Sequence, residues 1–163
     1  MVLYHGSDQI VEIPNLDLSR KTLDFGSGFY TTVSKEQAID FARKVAVRNK
    51  NGKKFVNVYD FDEELAAAAL KILKFIKPDK LWLDFVQQNR NGKYTGKAYD
   101  LVMGPVANDD VYATLIVYEQ GIINVEQTIE ALKIKELYSQ FVFKTTRALP
   151  FLRFLESFDP GAM

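Results

Sequence analysis

Five places in this chain hold residue types that could do chemistry at useful spacing. His5, the only histidine, is followed by Gly6 and Ser7. A neutral imidazole both donates and accepts hydrogen bonds, and a glycine beside it opens its own N–H and C=O to a ligand. The same residues also read as a core histidine where a strand ends. Gly26-x-Gly28-Phe29-Tyr30-Thr31-Thr32 interleaves glycines with aromatics. No Gly-Lys-Ser/Thr follows, so it is not a phosphate-cradling P-loop. It reads as a tight turn that lets aromatics pack, or as a platform on which a planar ring stacks. Arg20, just before it, is a surface cation or a two-pronged grip for a pyrophosphate. Asn108-Asp109-Asp110 is a helix N-cap or a carboxylate pair orienting a nucleophile. Gln140 lies in the alternating run Ser139-Gln140-Phe141-Val142-Phe143, where the pattern turns it toward solvent.

Composition narrows the chemistry. The 163 residues include no cysteine, which removes disulfides, thiolate metal sites and thiol nucleophiles. One histidine removes multi-histidine metal centres, so no metal is expected. Lys plus Arg balances Asp plus Glu at 21 each, which argues against general binding of nucleic-acid backbones. Uncharged runs such as Leu65–Leu70 and Leu101–Asn108 are far too short to span a bilayer. Met1 runs straight into Val2-Leu3-Tyr4-His5 with no basic start and apolar core, so the expected location is cytoplasmic. The length suggests one domain over residues 1–163.

The elements that must carry these residues follow from periodicity and punctuation. Val2–His5 predicts a strand, and Phe29–Thr32 a second one. Ser34 opens a helix, with Gln37 as its capping-box partner and Ala38, Ile39, Phe41, Ala42, Val45 and Ala46 facing inward. Phe55–Tyr59 is a strand, Leu65–Leu70 a helix by propensity and Ile72–Ile76 a strand. Asp79 caps a helix that buries Leu81, Trp82, Phe85 and Val86. Tyr99–Met103 is a strand. Helices follow over Asp109–Gln120 and Val125–Leu137, with Gly121 between them as the C-cap. Ser139–Thr145 is expected to be the last strand and Thr146–Leu155 a final helix. Irregular alternation of strands and helices gives an α+β class.

Taken in order, Tyr4-His5-Gly6-Ser7, Gly28-Phe29-Tyr30-Thr31-Thr32 before a helix with Gln37-Ala38, and a late strand with Gln140 resemble the ADP-ribosyltransferase superfamily. The likeness is to its histidine–tyrosine–glutamate branch, which holds diphtheria-type toxins and poly(ADP-ribose) polymerases, and within it to small bacterial members classed as a domain of unknown function. Leu23-Asp24-Phe25-Gly26-x-Gly28, Tyr99-Asp100-Leu101-Val102 and Gly104-Pro105-Val106-Ala107-Asn108-Asp109 look like recurring blocks of those members.

The resemblance implies a split β-sheet with flanking helices and NAD as substrate. His5 would hold the nicotinamide ribose, the Gly6 backbone the carboxamide, and Tyr30 the ring, with imidazole and phenol lining one hollow. Ser7, Gly28, Phe29 and Thr31 would surround NAD. Phe41 falls where a second aromatic stands in polymerase-type relatives, and Arg20 would lie near the diphosphate. Gln140 replaces the branch's glutamate: it keeps a hydrogen bond but has no charge and accepts no proton. That argues against polymer elongation and leaves single transfer or NAD cleavage, with Asp109 and Glu136 as reserve carboxylates. The implied activity is mono-ADP-ribosylation of an unidentified acceptor, such as a protein, by a toxin or effector that could have a cognate antitoxin. The alternative is an inactive module of the same fold that acts by binding.

Overall fold

The computed structural model describes residues 1–18, 23–105, 109–133 and 139–161. In chain order, the described residues form β1 (Val2–Ser7), β2 (Phe29–Thr32), α1 (Lys35–Asn49), β3 (Phe55–Phe61), α2 (Glu63–Ala69), β4 (Ile72–Lys74), α3 (Lys80–Arg90), β5 (Leu101–Pro105), α4 (Asp109–Glu119), α5 (Val125–Lys133), β6 (Ser139–Phe143) and β7 (Leu152–Phe158). A mixed seven-stranded sheet runs β4-β5-β6-β2-β1-β3-β7. Among the described residues, only β4 and β5 pair in parallel.

Strand alternation sorts the side chains onto two faces. Cross-strand partners share a face, so the rows Leu3–Tyr59 and Phe29–Phe143–Leu101 lie on one side. They pack with Phe61, Phe141 and Met103 under Ala66 of α2. The rows Tyr4–Thr32–Gln140 and Tyr30–Val142–Val102 lie on the other. There Trp82 and Phe85 of α3, Val111 and Leu115 of α4, and Leu132 of α5 close over Val102 and Val142. The small residues Ala38 and Ala42 of α1 cover Val56 and Tyr4 on this same side.

Several expectations change. The segment 152–158 is a strand, not a helix: Leu152 and Phe154 turn inward while Arg153 and Leu155 are exposed, a period of two that pairs with β3 from Leu152↔Phe61 to Phe158↔Val56. Pro150 sits in the tight turn before it, where its missing N–H costs nothing. Phe41 and Leu81 were expected inside but are 50% and 72% exposed. On α1 the inward stripe is alanine-lined because the helix approaches β1 too closely for an aromatic. Ser34 caps α1 by accepting the Gln37 N–H, but the Gln37 side-chain Oε1 accepts from the Thr32 hydroxyl at 2.6 Å. The Ser34 N–H goes to that same hydroxyl, so Thr32 replaces the reciprocal half of the capping box. Residues 134–137 of the expected helix lie outside the described residues.

Candidate functional site at the seam between β1 and β2

The ladder between β1 and β3 is continuous from Val2↔Asp60 to Ser7↔Phe55. On its other side β1 meets β2 at Tyr4↔Thr32 alone. Where that pairing lapses, the ring of His5 fills in: its Nδ1 lies 2.6 Å from the main-chain oxygen of Tyr30. A carbonyl only accepts, so Nδ1 carries the proton and Nε2 keeps its lone pair. Burial holds the imidazole pKa below its ordinary value, and the hydrogen bond to Tyr30 only partly opposes this. His5 is therefore a neutral ring with one acceptor nitrogen free of that bond. It stacks on Phe29 with centroids 4.2 Å apart.

Asn57, across from His5 in register, is a residue that sequence reasoning passed over. It is fully buried. Its Oδ1 accepts the Val11 N–H at 2.8 Å, and its Nδ2 donates to the carbonyls of Gln9 at 3.1 Å and His5 at 3.4 Å. The Tyr59 hydroxyl donates to the Val11 carbonyl. Together they staple the chain leaving β1 to the face that His5 occupies. The available signal was an asparagine inside the apolar run Val56-Asn57-Val58-Tyr59.

The glycine loop before β2 is held equally tightly. The Tyr30 hydroxyl accepts the Phe25 N–H at 3.0 Å and donates to the Gly26 carbonyl. Burial raises its pKa well above the usual phenol range, and the Asp24 charge adds to this. Gly26 has φ +77°, and a Cβ on Gly28 would stand 2.6 Å from Val142 Cγ1. Both glycines are thus required by the turn and by its packing on β6. The ammonium of Lys144, also missed in the sequence, donates to the carbonyls of Phe25 at 2.5 Å and Ser27 at 2.7 Å. Burial pushes its pKa down to about 8.

Gln140 does not face solvent as its strand pattern suggested. It is 4% exposed, because the face it shares with Thr32 and Gly104 is covered by helices. Its Nε2 is buried with no hydrogen-bond partner among the described residues. Thr31 is committed to the Phe141 carbonyl at 2.8 Å, and Ser7 accepts the Gln9 N–H at 3.2 Å. Phe41 presents a half-exposed ring from α1. Arg20, Asn108 and Glu136 lie outside the described residues, as does the side chain of Asp109.

Gly6, Tyr30 and Gln140 therefore project from three adjacent strands onto one face, while His5 and Phe29 occupy the other. The expected hollow shared by imidazole and phenol is not formed. His5 meets Tyr30 through the main chain, because residues at an odd offset across the β1–β2 register point to opposite sides. Among the described residues, no group of three acidic or histidine side chains could hold a metal ion, and no helix is long and apolar enough to cross a membrane.

No curated protein and no solved structure matches this chain. A family model does match residues 1–154, a span that takes in the glycine loop, the β1–β2 seam and Gln140. The chain belongs to the family described as protein of unknown function, DUF3990.

Proposed function

We propose that this protein is an ADP-ribosyltransferase-type enzyme that binds NAD at the β1–β2 seam and cleaves its nicotinamide–ribose bond. The fold would be a variant of the split sheet, with the seam as its opening. The observation that carries the reading is the unpartnered Nε2 of Gln140, buried on the face that Gly6 and Tyr30 share. A buried donor without an acceptor costs about 1–3 kcal/mol unless something meets it, and a ribose oxygen or carboxamide oxygen of NAD would do so. NAD supplies the scissile bond, whose electron pair leaves with nicotinamide. The chain's part is to hold the ribose and the ring while an acceptor (a protein side chain, a small molecule or water) approaches. With no charged group at position 140, rate enhancement rests on positioning and polar contacts.

A second reading has its own observation. A Cβ on Gly6 would lie 2.2 Å from the Ala38 carbonyl oxygen, so the backbone of α1 already covers the face of the sheet onto which Gly6 would open. That favours an inactive module of the same fold that acts by binding a partner. Calorimetry with NAD, followed by an assay of released nicotinamide, tests both. Binding with turnover supports the enzyme. Absence of both in the full chain supports the module.

A further inference from the structure

We propose that Lys144 is a positioning residue for Tyr30, acting through the glycine loop; this rests on the reading of Tyr30 as part of an NAD site. The hydrogen bonds form a closed arrangement around three consecutive loop residues. Lys144 Nζ donates to the carbonyls of Phe25 and Ser27. The Phe25 N–H donates to the Tyr30 hydroxyl, which in turn donates to the Gly26 carbonyl. Phe25 is thus gripped at both ends, by Lys144 through its C=O and by Tyr30 through its N–H. Its ring is wholly buried, against Phe75 and Phe85.

The loop has little room to settle elsewhere. Position 26 takes a left-handed φ, and the space where its Cβ would be is taken by Asn89 Oδ1 at 2.7 Å and Lys144 Nζ at 3.0 Å. On the other flank Gly28 is pressed against Val142 and the Phe143 carbonyl. Lys144 directly follows Phe143, which pairs with Phe29, so β6 carries the lysine to the loop that turns into β2. A desolvated ammonium aimed at two carbonyls is a strong, directional tie. Its removal would leave both oxygens to rearrange and free the loop that fixes the phenol.

The test is made on the full chain with Lys144→Met and Lys144→Arg, using tyrosine labelled with 13C at Cζ. In Lys144→Met the Tyr30 resonance is expected to move and broaden, while that of Tyr59, bonded elsewhere to Val11, stays in place. Lys144→Arg, which keeps the donors, should restore most of the Tyr30 signal. Nicotinamide release by Lys144→Met should fall by about 10- to 100-fold in kcat with KM for NAD changed far less, the pattern of a misplaced group. Should Lys144→Met fail to fold, Lys144→Gln takes its place with the same readouts. If the parent chain releases no nicotinamide, the NAD reading fails, and the Tyr30 resonance still decides whether Lys144 positions the phenol. If Tyr30 keeps its signal in Lys144→Met, the inference is overturned whatever the activity.

Discussion

Gly6 and Ala38 are in such close approach that a single methyl group would not fit between them: a Cβ on Gly6 would stand 2.2 Å from the Ala38 carbonyl oxygen and 2.8 Å from the Ala42 nitrogen. This contact sets the distance between α1 and β1, and it makes the alanine stripe of α1 necessary. Because the clash is with backbone, no rotamer change relieves it. Gly6→Ala should therefore destabilise the fold by about 3 kcal/mol, the upper end for overpacking, measured as a lower urea midpoint. A variant as stable as the parent would mean that α1 is free to slide.

Asn57 should be among the most sensitive polar positions. Asn57→Ala would strand the Val11 N–H and the Gln9 carbonyl near a buried site, at about 2–3 kcal/mol. Hydrogen exchange should show the segment after β1 opening first, with the Val11 amide losing protection before the β1–β3 ladder does. Equal loss of protection across the sheet would show that the staple has no local role.

Acid should weaken the protein through His5. Burial holds its folded-state pKa below 6.5, so between the two values the unfolded chain binds a proton that the folded chain does not. The stability contribution is complete above pH 6.5 and is lost as pH falls toward the lowered value. Urea midpoints at about pH 7.5 and pH 5.5 should differ more for the parent than for His5→Gln, which has no group titrating there. An identical drop in both proteins would assign the acid sensitivity to other groups.

Much of this architecture was legible because short-range signals agreed with the tertiary outcome. Phe29–Thr32 is bounded by Gly28 and the Ser34 cap, and it is a strand from end to end. Asp79 caps α3 as its position after Pro78 suggested, accepting the Trp82 N–H. The failures share a cause: the deciding partner is distant in sequence. Residues 152–158 become a strand only because β3 offers a free edge roughly a hundred positions earlier. Gln140 is buried because helices close over a face that its own strand pattern leaves open. Lys144 and Asn57 act on loops 119 and 46 residues away, and nothing adjacent to either marks it. The pairing of His5 with the main chain of Tyr30, and not its ring, depends on register, which local pattern does not encode.

Gln140 gives the sharpest separation of stability from function. Its buried amide nitrogen has no partner among the described residues, so an apolar side chain of similar size removes an unsatisfied donor without opening a cavity. Gln140→Leu should therefore raise the unfolding free energy by about 1 kcal/mol. The same change removes the donor proposed to meet NAD, so calorimetric NAD binding should weaken by at least about 10-fold, one hydrogen bond's worth of affinity. A residue kept for packing alone would show the opposite: lower stability on substitution and no change in ligand binding. Gln140→Glu completes the comparison. A buried, unpaired carboxylate should lower stability at neutral pH, yet a negative charge facing the ribose would stabilise positive charge developing as nicotinamide leaves. Faster nicotinamide release from a less stable protein would be the signature of a catalytic position, whereas slower release together with lower stability would place Gln140 in the core and not in a reaction.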